Sequence, residues 1–215
     1  ATVQRKDGPQ PIIFMQCGPV RHTVNAKDQA KARPFRHQVI VRPTAFRSGR
    51  EAEEDARAEF QELSQSLTEN PHRNALIVGD VRQTIGKGRH PLLLTERTHH
   101  LHLLDTALRE AGLRTVVLQG GLSKARYAEA MCALDEQPHQ PLAVLATGRF
   151  VGEGFDCARL DTLFIAMPVS WQGTVAQYIG RLHRLHKGKK LVQVYDYADL
   201  EEPMLARMFD RRCRG

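Results

Sequence analysis

Five short apolar runs lie between residues 91 and 198, and each has the length and composition of a buried strand. They are PLLLTE, RTVVLQ, PLAVLAT, LDTLFIAMP and KLVQVYDYA. Stretches with the spacing of amphipathic helices alternate with them, at residues 74–88, 98–112 and 123–134, through QYIGRLHR, and after residue 200. This alternation predicts an α/β fold in which a parallel sheet is covered by helices on both faces.

The first 47 residues follow a different pattern. They hold two strand-like runs, PIIFMQCGPV and FRHQVIVRPTAF, and the second alternates apolar with polar residues as a half-buried strand would. At Ser48 the pattern becomes SGREAEEDARAEFQELSQSL, in which a capping serine precedes Glu51 by three residues and acidic residues crowd the first turns. We therefore expect a helix and a domain to begin at residue 48 and the domain to extend to residue 215.

Composition narrows the class of protein. The chain of 215 residues is 41% hydrophobic and 26% charged, and no apolar run approaches the roughly eighteen residues of a membrane span. The N-terminus has neither a starting Met nor an apolar signal region, so we expect an internal piece of a longer protein. The cysteines at positions 17, 132, 157 and 213 form no CxxC pair, which favours a reducing cytoplasm over a disulfide or zinc framework.

The positive charge is concentrated near the N-terminus. The net charge is +7, and residues 1–50 contain ten Lys or Arg against two Asp or Glu, whereas the remainder contains twenty-one against twenty-two. A basic segment attracts phosphate backbones by releasing counterions. A solvated surface or a linker would have the same composition, so the charge supports nucleic-acid binding without establishing it.

Three loops follow predicted strands, where a parallel sheet places its ligands. In LQGGLSKAR, Gly120 and Gly121 would allow backbone amides to approach a phosphate, although a tight turn needs the same residues. In ATGRFVGEGFD, three glycines accompany Glu153 and Asp156, which suits a loop that holds a ribose or a water; a plain Gly-rich connection is the alternative.

The third loop leads to QYIGRLHR. In a helix, Gln177, Arg181 and Arg184 lie at i, i+4 and i+7 and share one face, while Gly180 keeps the surface between them low. Paired guanidinium groups bind phosphate oxygens well, yet a solvated basic face extended by HKGKK has the same spacing.

Two further patterns carry no site. The histidines at 99, 100 and 102 point in different directions on a helix, which argues against a metal site, and no GxxxxGK[ST] phosphate loop occurs in the chain.

Taken in order, the loops resemble the second RecA-like lobe of superfamily 2 helicases and translocases, over about residues 48–200. PLLLTER resembles motif IV, VVLQGGLSKARY motif IVa, ATGRFVGEGFD motif V, and QYIGRLHR motif VI with its QxxGRxxR pattern. The motif VI-like stretch opens with Gln, and in this it resembles the branch that includes restriction-enzyme helicase subunits and excision-repair-like DNA helicases. ATVQR at residues 1–5 resembles the tail of motif III, with Val3 where a proline is usual. The resemblance thus implies that residues 1–47 are the tail of the first lobe and a basic inter-lobe segment, and that residues 48–215 are the helicase C-terminal domain.

The resemblance also implies roles for matching residues. ATP and Mg²⁺ would be held mainly by the first lobe, which is the expected partner. Arg184 would be the arginine finger on the γ-phosphate with Arg181 beside it, and Gln177, Gly154 and Asp156 would contact ATP. Four further positions would touch the nucleic-acid backbone: Thr95, Arg97, Gly120 and Thr147.

The leading hypothesis is a motor lobe of a cytoplasmic, ATP-dependent helicase or translocase that acts on nucleic acid, with DNA favoured over RNA and no membrane partner. By itself the piece would hydrolyse almost no ATP. The alternative is a nucleic-acid-binding module whose motor has degenerated and which binds through its basic first 50 residues. A third hypothesis is an unrelated phosphate-binding α/β enzyme such as a glycosyltransferase or phosphotransferase.

Overall fold

The computed structural model describes residues 4–5, 8–9, 14–16, 18–19, 21, 34–49, 56–135, 142–148, 157–169, 179–180 and 182–214. The chain divides into two compact units, Ala1–Pro34 and Phe35–Gly215. In the first unit, β1 (Gln4–Arg5) pairs antiparallel with β2 (Gly8–Pro9). Residues 14–16 are helical, so the predicted strand PIIFMQCGPV is wrong at those positions.

The second unit is built on one sheet. Its strands are β3 (Arg36–Pro43), β4 (Pro91–Thr95), β5 (Thr115–Leu118), β6 (Ala143–Thr147), β7 (Thr162–Ile165) and β8 (Leu191–Ala198). Their order is β3-β8-β7-β4-β6-β5, and every neighbouring pair is parallel. The predicted α/β fold with a parallel sheet is therefore confirmed.

Five helices are described in this unit: α1 (Ala56–Glu69), α2 (Pro71–Gly86), α3 (Thr98–Glu110), α4 (Lys124–Asp135) and α5 (Pro203–Cys213). The sequence accounts for several of their ends. The side chain of Asn70 accepts a hydrogen bond from the Arg73 amide at 2.9 Å, and Pro71 occupies the first turn of α2. Gly112, with φ +77°, follows α3 as the sequence predicted. The helix predicted from residue 48 is described from Ala56 onward, because residues 50–55 lie outside the described ranges.

Both faces of the sheet are buried because the central strands are apolar throughout. In β4 every residue is buried, with Leu92 and Leu94 in a cluster on one face and Leu93 in a cluster on the other. Leu134 of α4 and Leu182 belong to the first cluster, while α2 and α3 supply their apolar faces to the second. A third cluster joins α1 and α5, through residues that include Leu63, Leu67, Leu205 and Met208. The sheet that carries the carboxyl ends of the strands is thereby packed on both faces.

Strand β3 lies at one edge of this sheet and pairs with β8 from Arg36↔Leu191 to Pro43↔Ala198. It therefore belongs to the same compact unit as the other strands, although the sequence placed it in the segment before residue 48. The predicted strand is confirmed, but it is not half-buried as the alternation predicted, since Val39 and Val41 are 66% and 43% exposed. The division of the full-length protein at residue 47 stays a prediction.

Candidate functional site

The carboxyl edge of β4, β6 and β5 gathers the residues predicted to contact nucleic acid. Thr95 ends β4 and Thr147 ends β6, and the two are register partners in neighbouring parallel strands. Gly120 lies two residues beyond the end of β5, and Arg97 two residues beyond the end of β4. Because neighbouring parallel strands end at the same edge, the fold brings these four positions to one side of the sheet.

Thr95 is buried, with 2% of its surface exposed. Its hydroxyl oxygen accepts a hydrogen bond from the Arg97 amide at 3.3 Å and lies 3.1 Å from Nδ1 of His100. The hydroxyl is therefore occupied within the protein. Its role in this structure is to fix the turn that leads from β4 into α3.

His100 continues this chain of hydrogen bonds into the core. The amide nitrogen of Asn74 donates to the Thr68 carbonyl at 2.8 Å, so the amide oxygen of Asn74 faces His100 Nε2, at 2.9 Å. Since that oxygen only accepts, Nε2 carries the proton and Nδ1 accepts from the Thr95 hydroxyl. Burial, followed by the charges of Arg73 and His99, lowers the pKa of His100 to about 3. The imidazole is neutral and links Thr95, at the carboxyl end of β4, to Asn74 of α2.

Arg97 and Gly120 present different surfaces. The half-buried Arg97 donates through its guanidinium to the side-chain oxygen of Gln61 on α1. Gly120 is exposed, and a Cβ added there would meet no atom within 4 Å. The neighbouring Gly121 has a φ of +82°, which side chains rarely adopt. Only Gly121 is therefore required by the turn itself, and Gly120 leaves open space above the backbone.

The N-terminus of α4 follows this open turn. Ser123 Oγ accepts a hydrogen bond from the Arg126 amide at 3.3 Å, so this serine caps the helix. Lys124 and Arg126 are both exposed in the first turn. A helix N-terminus with exposed cations next to an open glycine favours an anionic ligand such as a phosphate backbone.

A buried ion pair reinforces the other half of the carboxyl edge. Arg73 donates from Nε to Asp199 at 3.0 Å and from its terminal nitrogens to Asp199 and to the Ala166 carbonyl, at 3.3 and 2.6 Å. The hydroxyl of Thr44 also donates to Asp199. Arg73 thus ties α2 to the residues that follow β7 and β8, Ala166 and Asp199, and Asp199 extends the network to Thr44 after β3. Both side chains of the pair are 1% exposed.

The motif VI-like stretch is described only in part. Ile179, Gly180 and Leu182 are helical; Gln177 and Arg181 lie outside the described residues, as do Gly154 and Asp156 of the Gly-rich loop. Leu182 is fully buried, whereas Gly180 and Arg184 are exposed. The segment therefore has a buried anchor and an outward surface that carries Arg184.

Two side chains near this stretch fix it to the domain. The His183 ring packs 4.7 Å from the ring of His37 and 5.9 Å from that of Phe35. The ammonium of Lys189 donates to the carbonyls of Ala158, Leu182 and Arg184, at 2.6, 2.9 and 2.9 Å. Arg184 is thus carried by a backbone whose carbonyl oxygens are held in place.

Sequence reasoning missed Lys189, His100 and Arg73. Lys189 was assigned to the basic run HKGKK, and nothing in that run distinguishes it from its neighbours. A signal for His100 exists, because it precedes Leu104 by four residues and so shares the apolar face of α3. The positions of His99 and His102 are consistent with this assignment, since both are exposed.

Three further properties concern the described residues only. They contain no group of three or more His, Cys, Asp or Glu side chains able to hold a metal ion. None of their helices has the length and apolarity that a bilayer crossing demands. Cys132, Cys157 and Cys213 are free thiols.

No protein-family profile and no curated protein matches the sequence. Solved structures with a similar fold include the C-terminal part of the Fun30 ATPase domain, with a TM-score of 0.55, 13% identity and coverage of 72% of this chain and 53% of that one. UvsW of T4 has a TM-score of 0.60 and 16% identity, with coverage of 84% and 39%. The DEAD-box protein SrmB of E. coli, bound to the regulator of ribonuclease activity A, has a TM-score of 0.54 and 18% identity, with coverage of 83% and 86%.

These similarities confirm the fold that the resemblance implied, a RecA-like α/β fold with a parallel sheet. At identities of 13 to 18%, these similarities show the fold and not the function. The chain spans about half of the Fun30 structure and about two fifths of UvsW.

Proposed function

We propose that the chain is the C-terminal motor lobe of an ATP-dependent nucleic-acid helicase or translocase. The observation that carries the proposal is the coincidence of fold and motif positions. The four candidate nucleic-acid residues end or follow adjacent strands β4, β6 and β5, and the exposed Arg184 lies on a separately anchored segment. A RecA-like lobe of this kind has one surface for nucleic acid and another for a neighbouring lobe.

The contacts of each candidate residue suggest its proposed role in nucleic-acid binding. Gly120 and the exposed N-terminus of α4 accept the phosphate backbone, and Arg97 and Thr147 extend that surface. Thr95 contributes indirectly, because its hydroxyl holds the turn that positions Arg97. Contacts of this type give affinity without sequence preference.

Arg184 and Arg181 are the proposed arginine fingers, and Gln177, Gly154 and Asp156 the proposed ATP contacts. ATP and Mg²⁺ are assigned to a first lobe in the same protein, and these residues complete the site from the opposite side. The exposed position of Arg184 beside Gly180 fits such a group, since both face away from the buried Leu182. An arginine finger stabilises the charge that develops on a transferred phosphoryl group.

The test is the ATPase rate of the full-length protein with single-stranded DNA, duplex DNA and RNA in parallel. We expect stimulation by nucleic acid, strongest with DNA. Arg184→Ala should lower kcat on the order of 10³-fold or more and change the KM for ATP only a few-fold. Arg82→Ala, at an exposed position of α2, is the matched control and should behave as wild type.

Each outcome bears on the proposal. Wild-type turnover in Arg184→Ala would remove the arginine-finger assignment. Nucleic-acid binding without ATP turnover in the wild-type protein would favour the degenerate, non-hydrolysing module. Saturable binding of a sugar nucleotide without any response to nucleic acid would favour a different phosphate-binding enzyme. We assign the protein to the cytoplasm on the free thiols of Cys132, Cys157 and Cys213 among its described residues, and fractionation of cells can check this placement.

A further inference from the structure

The ammonium of Lys189 lies where three backbone carbonyls converge. Two of them, from Leu182 and Arg184, belong to the end of the motif VI-like stretch, and the third, from Ala158, belongs to the turn that leaves the motif V-like loop and enters β7. A charged lysine has three N–H donors, so each proton has one acceptor. The aromatic ring of Phe35 adds a cation–π contact, with 5.8 Å between Nζ and the ring centroid.

The sequence HKGK explains why the side chain arrives there. The Lys189 amide donates to the His186 carbonyl at 3.1 Å and closes a turn, and Gly188 inside it has a φ of +87°. The turn reverses the chain between Arg184 and β8, which begins at Leu191. The lysine therefore points back at the segment that precedes it.

We propose that Lys189 is a positioning residue, which couples the exit of the motif V-like loop to the segment that carries Arg184. Cations near a helix C-terminus satisfy its last carbonyls, and this one satisfies two of them together with a carbonyl of a different segment. The link means that a shift in the turn at Ala158 moves the backbone of Arg184 with it. The proposal rests on the function proposed above, in which these two segments contact nucleic acid and ATP.

The electrostatics of the site agree with this geometry. Burial lowers the pKa of Lys189 to about 8, against the opposing effects of Asp161 and Cys157. Burial is the main cause that lowers the pKa of His90, against the opposing effect of Asp161, and the charges of Arg159, His186 and Lys189 add to the lowering. A neutral amine has only two donors for the three carbonyls, so the link should weaken as the pH rises through about 8.

The experiment compares Lys189→Met, Lys189→Arg and Lys190→Met in the full-length protein. Lys190 is exposed and adjacent, so its replacement removes the same charge without touching the three carbonyls. Amide hydrogen exchange is measured over residues 182–186 and 157–160, and kcat and KM for ATP are measured with DNA present. In Lys189→Met, we expect exchange at both segments to become about tenfold faster. We expect its kcat to fall about tenfold to a hundredfold, with little change in KM.

Lys189→Arg keeps the positive charge at all accessible pH values and should restore most of the protection. The decline of wild-type kcat above pH 8 should be absent from this variant. Because Lys189→Met could unfold the lobe, this pH profile is an independent measurement. An unchanged alkaline limb in Lys189→Arg would overturn the proposal.

The remaining outcomes are equally decisive. Exchange in Lys189→Met that matches Lys190→Met would overturn the link between the two segments. Faster exchange with unchanged kcat would overturn the positioning role. A wild-type protein without nucleic-acid-stimulated turnover would reject the proposed function, while the exchange data would still decide whether Lys189 joins the segments.

Discussion

The hydroxyl of Thr95 lies 3.1 Å from Nδ1 of His100, and the imidazole is the accepting partner. A residue predicted to touch nucleic acid is therefore part of a hydrogen-bonded chain that runs through the core to α2. The chain requires a neutral imidazole with its proton on Nε2. Its integrity consequently depends on pH.

Stability should fall between pH 7 and pH 5 because of His100. The pKa of His100 is about 3 in the folded protein and about 6.5 in the unfolded chain. Between pH 7 and pH 5 the imidazole therefore becomes protonated in the unfolded chain and stays neutral in the folded protein. The neutral His100 makes its full contribution to the free energy of unfolding above about pH 6.5, and about 2 kcal/mol of that free energy is lost by pH 5. Urea unfolding of wild type and His100→Gln across this range measures the difference in slope.

The variant keeps His90, whose pKa is also lowered by burial, so that residue contributes to both curves. His100→Gln should have the flatter pH dependence, whatever its absolute stability. Parallel curves would mean that His100 is protonated in the folded protein.

Arg73→Met should strongly destabilise the lobe. The substitution removes the partner of Asp199 while that carboxylate stays buried, and it also removes the donor to the Ala166 carbonyl. Breaking a buried pair in this way costs about 3 to 5 kcal/mol. The midpoint and slope of urea denaturation give the value.

Arg109→Met provides the control, because Arg109 is 58% exposed and pairs with Asp105 one turn away in the same helix. Its loss should cost no more than about 0.5 kcal/mol. Equal costs for the two variants would show that the pair beneath the sheet edge contributes little.

Gly121→Ala should lower stability, whereas Gly120→Ala should weaken nucleic-acid binding without changing stability. Gly121 has a φ of +82°, so alanine there should cost about 1 to 2 kcal/mol of stability. Alanine at Gly120 meets no atom within 4 Å and should leave stability unchanged. If nucleic acid approaches the backbone at this turn, Gly120→Ala should weaken binding several-fold in an anisotropy titration with labelled single-stranded DNA. Unchanged affinity would remove Gly120 from the interface.

Gly180→Ala should separate stability from activity. Gly180 is helical and exposed with nothing within 4 Å of an added Cβ, and Gly79 in α2 has the same properties. Alanine should stabilise the helix at either position by about 0.5 to 1 kcal/mol. Only Gly180→Ala should lower the ATPase kcat of the full-length protein, because only there does the proposed site need close approach of a second surface. Equal activity in both variants would show that the low surface has no function.

The sequence predicts the strands well where a run is apolar throughout. PLLLT in β4 has to be buried on both faces, and such a run belongs in the middle of a parallel sheet. The sequence also predicts that β3 is a strand, which is confirmed, but it does not predict its exposure, because alternation indicates an apolar face and does not reveal whether anything covers that face. Val39 and Val41 show the difference, since both are exposed at the sheet edge.

For the candidate site, the sequence predicts which loops carry the site residues, but it does not predict the contacts that hold those loops in place. Thr95, Arg97, Gly120 and Thr147 follow strands, so the general rule for parallel sheets brings them to one edge. The contribution of Lys189 depends on carbonyl groups up to 31 residues away, and every residue type has a carbonyl. No pattern of side chains marks such a contact.

The pairing of β3 with β8 has a consequence for how the protein folds during synthesis. Gln38 pairs with Gln193, 155 residues later, so β3 leaves the ribosome long before β8, its neighbour in the described sheet, exists. Until then Val39 and Val41 belong to an unpaired strand, of the kind that invites aggregation. The central strands β4, β5, β6 and β7 can assemble earlier, and the last strand completes the sheet by capturing the first. Folding should therefore be slow and limited by this closure.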